Sequence, residues 1–261
     1  MQLLAFAAAT HWWTFPVVGL FAGLAIGLTG MGGGVVLTPI LVLLLGVPAN
    51  AAVSNDLVVS MLVKPIGAAT HGRAGTVRGD IVARLAIGSV PAAFLGAFLV
   101  NRLFDDRADV LEYLIGGTLL LAAAMMLIRL LTQRDTDGGH SPLRAGPTLA
   151  VGVLGGLLVG MTSVGSGSLM LVLLTWIYPR MSGRQLVGTD LAQAIPLVAS
   201  AALGHLLFGD VRLGIVLPLL VGAVPGVWLG SQASTRMPDS ALRPTLLLLV
   251  GASGLRLVGV L

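Results

Sequence analysis

The sequence of 261 residues contains no cysteine and few charged residues. Without cysteine, a disulfide framework, a thiolate metal site and a cysteine nucleophile are excluded. Charged residues make up 10% of the chain, against about a quarter in soluble domains. By contrast, 56% of the residues are hydrophobic and the mean hydropathy is +0.97. This composition predicts a chain that lies in a lipid bilayer.

The few charges are mostly positive, with a formal net charge of +4 and a pI near 10.6. In a soluble protein these values would suggest nucleic acid as a partner. Here the arginines are scattered over short polar segments, and no run of five basic residues occurs. Scattered arginines of this kind are typical of the cytoplasmic loops of membrane proteins. The predicted partners are therefore the lipid bilayer and a small anionic solute, and no nucleic acid.

Ten apolar segments, separated by short polar stretches, predict an all-helical polytopic membrane protein. Each half of the chain contributes two short segments and then three that approach the roughly 20 residues of a membrane-spanning helix. A polar linker, 132–147, separates a predicted first transmembrane repeat, 1–131, from a second one, 148–261. The segments run 16–29, 35–47, 51–70, 81–100 and 110–131, then 148–162, 168–178, 185–207, 213–231 and 241–260.

The two halves align on one another with an offset of 133 residues, which becomes 134 after a one-residue insertion. Coincidence could supply several glycine matches in a chain with 36 glycines, but it does not easily supply the aspartate, histidine, arginine and proline matches. An internal repeat is the better explanation. The matched pairs include Gly19 and Gly152, Gly27 and Gly160, Thr29 and Thr162, Gly32 and Gly165, Gly34 and Gly167, Asp56 and Asp190, His71 and His205, Arg78 and Arg212, Pro91 and Pro225, and Gly96 and Gly230.

The number of membrane crossings decides whether the repeats are parallel or inverted. If the two short segments of each half form a re-entrant pair of half-helices, each half crosses three times and the second repeat is inverted. The fourteen arginines then divide ten to four between the two sides, whereas four crossings per half would divide them eight to six. The positive-inside rule favours the inverted arrangement, with both termini outside. Two complete short spans in place of each re-entrant pair would give the same sidedness, so that alternative stays open.

A run of small residues interrupts the apolar pattern in each half, and we name these runs the first tip, 29–34, and the second tip, 162–168. At membrane depth, irregular backbone is tolerated only where it is buried in protein or lines a polar cavity. The N–H groups that begin a half-helix attract anions. The tips therefore predict a binding site for a small anion, and close helix packing through small residues is the alternative. The predicted binding residues are Thr29, Gly32, Gly33, Gly34, Thr162, Ser163, Gly165, Ser166, Gly167 and Ser168.

Lys64 is the only lysine and lies inside an apolar segment, next to Pro65. Because a charge at membrane depth costs at least a few kcal/mol, its ammonium group should face a cavity or a partner. We predict that it attracts the substrate anion. The alternative, in which the side chain reaches an interface, is weaker because Lys64 lies more than ten residues from the start of its segment.

Two matched pairs of titratable residues, Asp56 with Asp190 and His71 with His205, are the candidates for proton coupling. The favoured interpretation of the aspartates is a capping role in the first turns of their helices, where the helix dipole stabilises an acidic side chain. The histidines are predicted to mark helix ends. A carboxylate that exchanges a proton in a buried site is the functional alternative.

Motifs that carry catalysis are missing from the sequence. It contains no HExxH, no Gly-x-Ser-x-Gly nucleophile elbow after a strand, no paired acidic metal motif and no phosphate-binding P-loop. The glycines of the first tip do not form a dinucleotide fingerprint, because no strand precedes them. We therefore predict that the protein is not an enzyme, and that it holds no metal ion and no cofactor.

The sequence resembles the sulfite exporter TauE/SafE family over nearly all of residues 16–261. The second half repeats the signature in a weaker form, with Ser166 and Val172 at the positions of Gly33 and Pro39. The residues that carry the resemblance are the run 27–34, Pro39, Ala51, Asn55, Asp56, Gly75, Gly88 and Gly96.

The resemblance implies a bacterial inner-membrane permease of seven to nine helices that exports sulfite, sulfoacetate or a related organosulfonate anion. With the charge distribution above, both termini are expected in the periplasm. We expect a secondary transporter that works by alternating access around the two tips. The alternatives are an anion channel, a membrane-embedded enzyme and a scaffolding subunit without transport. The sequence leaves the coupling ion and the oligomeric state open, a homodimer included.

Overall fold

A computed structural model describes residues 13–29, 33–71, 77–104, 107–132, 141–234 and 239–260. Within these ranges the chain forms ten α-helices and no β-strand, which confirms the predicted all-helical class. The first half contains α1 (Thr14–Thr29), a 3-10 turn (Gly33–Val35), α2 (Leu37–Leu43), α3 (Ala49–His71), α4 (Gly79–Leu103) and α5 (Ala108–Thr132). The second half contains α6 (Ala145–Thr162), α7 (Leu169–Ile177), α8 (Gly183–Phe208), α9 (Leu213–Ser234) and α10 (Asp239–Leu257).

Every predicted segment coincides with a helix, and the ends differ by four residues or fewer. The largest difference is at α2, which ends at Leu43. Gly46 then takes a positive φ of 62°, and Pro48 disfavours helical backbone at the residue before it. The polar linker is shorter than predicted, because α5 extends to Thr132 and α6 already begins at Ala145. Residues 133–140 of the linker lie outside the described part of the chain.

Five of the described helices, α4, α5, α6, α8 and α9, are long and apolar enough to cross a membrane. The helix α1 and the segment 33–43 would add a sixth crossing if they formed one span, but they are bent by 119° relative to each other. The helix α3 is long enough to cross, since 23 residues extend over about 34 Å. In the second half, α6 reaches 18 residues and could cross alone. The choice between re-entrant pairs and two short spans therefore stays open.

Glycines spaced four residues apart bring α1 and α9 into backbone contact. A Cβ atom on Gly23 would lie 2.5 Å from the carbonyl oxygen of Ala223 and 2.9 Å from its Cα. Gly19 and Gly27 approach the backbone of α9 in the same way, one turn earlier and one turn later. Any side chain at these positions would separate the helices, so the glycines are what permits this close packing.

The same arrangement recurs between α6 and α4. A Cβ atom on Gly152 would lie 2.5 Å from the carbonyl oxygen of Leu85, and one on Gly156 would lie 2.7 Å from the Cα of Ser89. The spacing then continues to Gly160, which packs on the backbone of Ala93. In both pairs the residue numbers rise together along the two helices, so the paired helices run parallel.

The two halves of the chain are interlocked. In the described part of the chain, the most extensive helix interfaces all join one half to the other: α1 with α9, α4 with α6, α4 with α8, α5 with α10, α3 with α8, and α3 with α9. When each helix is replaced by its aligned counterpart in the other half, four of these interfaces exchange in pairs, namely α1–α9 with α4–α6 and α4–α8 with α3–α9, while α5–α10 and α3–α8 are unchanged. The core is therefore shared between the halves, and neither half buries its apolar surface alone.

Candidate functional site

The two tips meet beside α3. A Cβ atom on Gly34 would clash with the backbone carbonyl group of Ser163 and lie 2.8 Å from its Oγ. Gly33 faces α3, because a Cβ atom there would lie 2.6 Å from Oδ1 of Asp56 and 2.5 Å from Oγ of Ser60. Both glycines thus make room for polar groups of other elements. Gly32, the remaining glycine predicted for the first tip, lies outside the described residues.

Asp56 is the centre of the polar network between the tips. Its Oδ2 accepts hydrogen bonds of 2.7 Å from Thr38 on α2 and from Ser163 in the second tip, and its Oδ1 accepts one of 3.2 Å from Ser60. The carboxyl group is completely buried. Three hydroxyl groups from three elements therefore satisfy a side chain that would otherwise be costly to bury.

The favoured capping role of Asp56 and Asp190 is wrong. The helices α3 and α8 begin at Ala49 and Gly183, so each aspartate is the eighth residue of its helix and lies in the third turn. Capping of α8 falls to other residues: Ser182 and Gln185 form a capping box. Asp190 is 2% exposed. Both helices begin two residues before the predicted segments, which start at 51 and 185.

Lys64 is buried in the interior and does not reach an interface. Its side chain is 7% exposed, and its Nζ donates a hydrogen bond of 2.6 Å to Oγ of Ser166 in the second tip. Asp190 and Asp56 both attract the ammonium group electrostatically. One cation and two carboxyl groups therefore share this buried region, and the prediction that Lys64 faces polar partners is confirmed.

The backbone of the second tip leaves several N–H groups available. Ser163 ends α6 in the left-handed region, with φ of 61°, and Gly165 and Gly167 have φ of 125° and 95°. Among the described residues, the N–H groups of positions 165–168 have no hydrogen-bond acceptor. These groups precede α7, so they lie at the positive end of its helix dipole.

Ser168 adds a side chain to this set. It is the N-cap residue of α7, but its hydroxyl group makes no capping hydrogen bond. It is 2% exposed, and its Oγ has no partner within the described ranges. A buried hydroxyl group without a partner costs free energy, and a bound oxyanion would satisfy it together with the free N–H groups.

The hydroxyl groups of Thr29 and Thr162 are used inside their own helices. Thr29 donates a hydrogen bond of 2.7 Å to the carbonyl oxygen of Ala25, and Thr162 donates one of 2.8 Å to that of Leu158. Each hydroxyl group thus bonds a carbonyl oxygen one turn back in its own helix, the local contact that threonine commonly makes in helices. This arrangement does not support the prediction that the two threonines donate to a substrate.

His205 lies in the last turn of α8, as predicted. Its ring makes polar contacts with three neighbouring helices. Its Nε2 lies 2.8 Å from the carbonyl oxygen of Gly160, which is near the end of α6. Its Nδ1 lies 2.8 Å from Oγ of Ser54 and 3.2 Å from Nδ2 of Asn101. Because a carbonyl group can only accept and an amide Nδ2 can only donate, we assign a neutral ring that is protonated at Nε2. His71 is the last residue of α3, and its side chain lies outside the described residues.

Thr38 and Ser60 are not among the predicted site residues. Ser60 could have been found, because it stands midway between Asp56 and Lys64 at the four-residue spacing that places side chains on one helix face. Gln193 donates a hydrogen bond of 2.6 Å to Oγ of Ser89. Thr38 gives no local signal, because its partner Asp56 lies in another element.

Two hydrogen bonds from backbone N–H groups to side-chain oxygens connect the two halves at equivalent positions. The N–H group of Arg212 donates to Oδ1 of Asn55 at 2.8 Å, and the N–H group of Arg78 donates to Oγ1 of Thr189 at 3.1 Å. The acceptor in each case directly precedes a buried aspartate. The sequence alignment pairs both donors and both acceptors, so these contacts follow the internal repeat.

Comparisons with known proteins agree on one family. Residues 15–257 match the family model described as "Sulfite exporter TauE/SafE". The chain is 34% identical to the probable membrane transporter protein YjnA of Bacillus subtilis, over 93% of this chain and 98% of that protein. It is 30% identical to YdhB of the same organism, over 90% and 96% of the two chains, and 27% identical to a probable membrane transporter protein of Haemophilus influenzae, over 87% and 90%. No solved structure matches.

Proposed function

The chain belongs to the sulfite exporter TauE/SafE family, and on that premise we propose that it exports sulfite, sulfoacetate or a related organosulfonate by alternating access. It is a multi-pass membrane protein whose relatives carry the name of probable membrane transporters. The proposed location is the bacterial inner membrane, with two inverted repeats and both termini in the periplasm. The ten-to-four division of basic residues supports that orientation.

One observation carries the proposal, namely the set of unused donors in the second tip. The N–H groups of positions 165–168 and the hydroxyl group of Ser168 are unpartnered in the described part of the chain. Lys64 contacts the same tip through Ser166. An oxyanion bound here would accept several hydrogen bonds at a helix N-terminus and would also be attracted to a buried ammonium group. We assign substrate binding to the second tip and Lys64, with Gly33 and Gly34 as close-packed neighbours.

The charges in the region favour coupling to a proton. Asp56 and Asp190 outnumber Lys64, so a bound anion would add to an existing excess of negative charge unless a carboxyl group took up a proton. A proton on Asp56 would convert one acceptor oxygen into a donor, and Thr38 or Ser163 would then have to turn away. Binding at the tips would thereby be linked to the protonation of Asp56. Asp190 is the second candidate, whereas His205 is less suited because both of its ring nitrogens are already engaged.

The first experiment is the thermal stability of the purified protein with sulfite, sulfate, sulfoacetate, taurine, isethionate, lactate and chloride. A ligand that binds only the folded state raises the melting temperature. We expect a shift that is restricted to sulfite or one or two sulfonates and is reduced in Ser168→Ala. Thr175→Ala is the matched control, because that hydroxyl group donates to its own helix at the carbonyl of Leu171. No shift with any anion would count against an oxyanion site.

Flux measurements then separate the proposal from its alternatives. Proteoliposomes that contain a carrier and are preloaded with unlabelled sulfite take up labelled sulfite transiently by counterflow. Proteoliposomes that contain an anion channel do not. A scaffold or a membrane-embedded enzyme gives no protein-dependent flux at all. An imposed pH gradient should change the flux of the wild type and leave that of Asp56→Asn unchanged. Asp109→Asn, at an exposed position in the first turn of α5, is the control and should behave as the wild type.

A further inference from the structure

The proposed transport requires two parts of the protein to move against each other, and the packing indicates which parts these are. The helices α1 and α9 are joined backbone to backbone by Gly19, Gly23 and Gly27, and α4 and α6 are joined in the same way. Such interfaces have little freedom, because sliding one helix along the other brings main-chain atoms into collision, and separating the helices gives up close packing. Each pair combines one helix from either half of the chain, so the halves themselves cannot separate without breaking both interfaces.

Hydrogen bonds attach α3 to the first pair. Asn55 on α3 accepts from the N–H group of Arg212 and donates to the carbonyl oxygen of Asp210, at 2.8 and 3.1 Å. Both contacts hold the start of α9. We name the group α1, α3 and α9 the Asp56 bundle.

A matching set of hydrogen bonds attaches α8 to the second pair. Thr189 accepts from the N–H group of Arg78 at the start of α4, and Gln193 donates to Ser89 in the middle of α4. Ser200 donates to the carbonyl oxygen of Val90 at 2.6 Å, and His205 reaches both Asn101 and Gly160. We name the group α4, α6 and α8 the Asp190 bundle.

We infer that the moving units of the transporter are the Asp56 bundle and the Asp190 bundle, each built from both halves of the chain, and that they separate along the junction between α3, α8 and the second tip. This inference rests on the proposed transport function. It differs from a rocking motion of one sequence repeat against the other, which would tear α1 from α9 and α4 from α6.

The contacts across this junction are of a kind that can break and form again during such a motion. The side-chain hydrogen bonds that cross it in the described ranges include Ser163 to Asp56, Lys64 to Ser166, and the contact between Ser54 and His205. Each of these hydrogen bonds involves a serine hydroxyl group, which can exchange its partner in the protein for water. The attraction between Lys64 and Asp190 crosses the junction as well. The substrate site and Asp56 both lie at this junction, so binding or protonation there acts directly on the contacts that hold the bundles together.

Distances between spin labels can test the assignment, because the absence of cysteine allows labels at chosen positions only. Four exposed positions serve: Val17 on α1, Leu103 on α4, Leu154 on α6 and Leu229 on α9. The pairs 17–229 and 103–154 lie within one bundle and connect different halves. The pairs 17–103 and 154–229 lie within one half and connect different bundles. Each double-cysteine variant is first checked for folding and for sulfite flux.

Two treatments should displace the junction: saturating sulfite, and the Asp56→Asn substitution, which disturbs the contacts with Thr38 and Ser163 and needs no substrate. We expect the within-half pairs 17–103 and 154–229 to shift by more than about 2 Å, while 17–229 and 103–154 stay unchanged. The reverse pattern would overturn the inference and assign the motion to the repeats. Unchanged distances in all four pairs under both treatments would also overturn it.

The two treatments separate a failure of this inference from a failure of the proposed function. If sulfite neither moves the labels nor is transported, while Asp56→Asn shifts only the within-half pairs, the bundles stand and the substrate assignment fails. If sulfite is transported but only the 17–229 and 103–154 pairs move, the transporter stands and the bundles fail.

Discussion

Nζ of Lys64 donates a hydrogen bond of 2.6 Å to Oγ of Ser166, a residue 102 positions further along the chain. The contact joins the middle of α3 to the second tip, and it places the only lysine of the protein beside the unused N–H groups of that tip. The contact therefore makes the role of Lys64 testable.

We predict that Lys64→Met weakens sulfite binding by about 10- to 100-fold, since a hydrogen bond to a charged group contributes about 1.5–3 kcal/mol. Ser166→Ala keeps the charge, so the loss should be smaller, about 2- to 10-fold for a contribution of about 0.5–1.5 kcal/mol. Isothermal titration of the purified protein measures both values. The exposed Arg256 offers a control for net charge, and Arg256→Met should bind as the wild type does. A folded Lys64→Met protein with wild-type affinity would remove Lys64 from the site.

The helix interface of Gly23 provides a prediction about stability. In Gly23→Ala the new Cβ would stand 2.5 Å from the carbonyl oxygen of Ala223, so α1 and α9 must move apart. We expect a loss of about 1–3 kcal/mol, the usual cost of overpacking, and a melting temperature several degrees lower. Gly117 lies inside α5 with no atom within 4 Å of an added Cβ, so Gly117→Ala should not lower the melting temperature. Equal melting temperatures of the two variants would contradict the packing argument.

Ser163 combines a left-handed backbone with a hydrogen bond to Asp56, and two substitutions separate these effects. Ser163→Gly loses the hydroxyl group but suits φ of 61°, whereas Ser163→Ala loses the hydroxyl group and keeps the unfavourable backbone. Since the left-handed conformation costs an L-residue about 1–2 kcal/mol, Ser163→Gly should be the more stable variant by about 1 kcal/mol. Chemical or thermal unfolding of both proteins in the same detergent gives the comparison. The opposite order would show that the tip relaxes when the hydroxyl group is removed.

His205 should matter for stability and not for the pH dependence of transport. Its Nε2 satisfies the carbonyl group of Gly160, one of the last carbonyl groups of α6, which have no partner within the helix. Its Nδ1 accepts a hydrogen bond, so the ring is neutral and engaged on both sides. We expect His205→Ala to lower the melting temperature, and His205→Gln, which retains an amide donor, to lower it less. Sulfite flux measured from pH 5 to 8 should keep its wild-type profile in His205→Gln. A profile that changes in this variant while Asp56→Asn keeps the wild-type profile would transfer the coupling role to His205.

The helices of this protein and the place of its candidate site follow from local sequence patterns. Apolar runs predicted every helix to within four residues at each end, because in a bilayer each backbone polar group must be satisfied within its own helix. The glycine-rich tips and Lys64 were identified from local features alone: small residues inside apolar runs, and a charge where charges are costly. The internal repeat can be recognised from the sequence, because aligning the two halves is enough to find the matched positions.

Which elements the polar residues connect depends on long-range packing that no local pattern encodes. The sequence position of Asp56 favours a cap, yet its partner Ser163 is 107 positions away. No local pattern at either residue indicates this contact. The sequence predicts that the threonines of the tips donate to a substrate, but in the structure their hydroxyl groups donate to carbonyl oxygens of the preceding turn. The interlocking of the halves was equally invisible, because helix contacts between distant segments depend on shape complementarity along whole surfaces, and a sequence pattern records only which face of a helix is small or apolar.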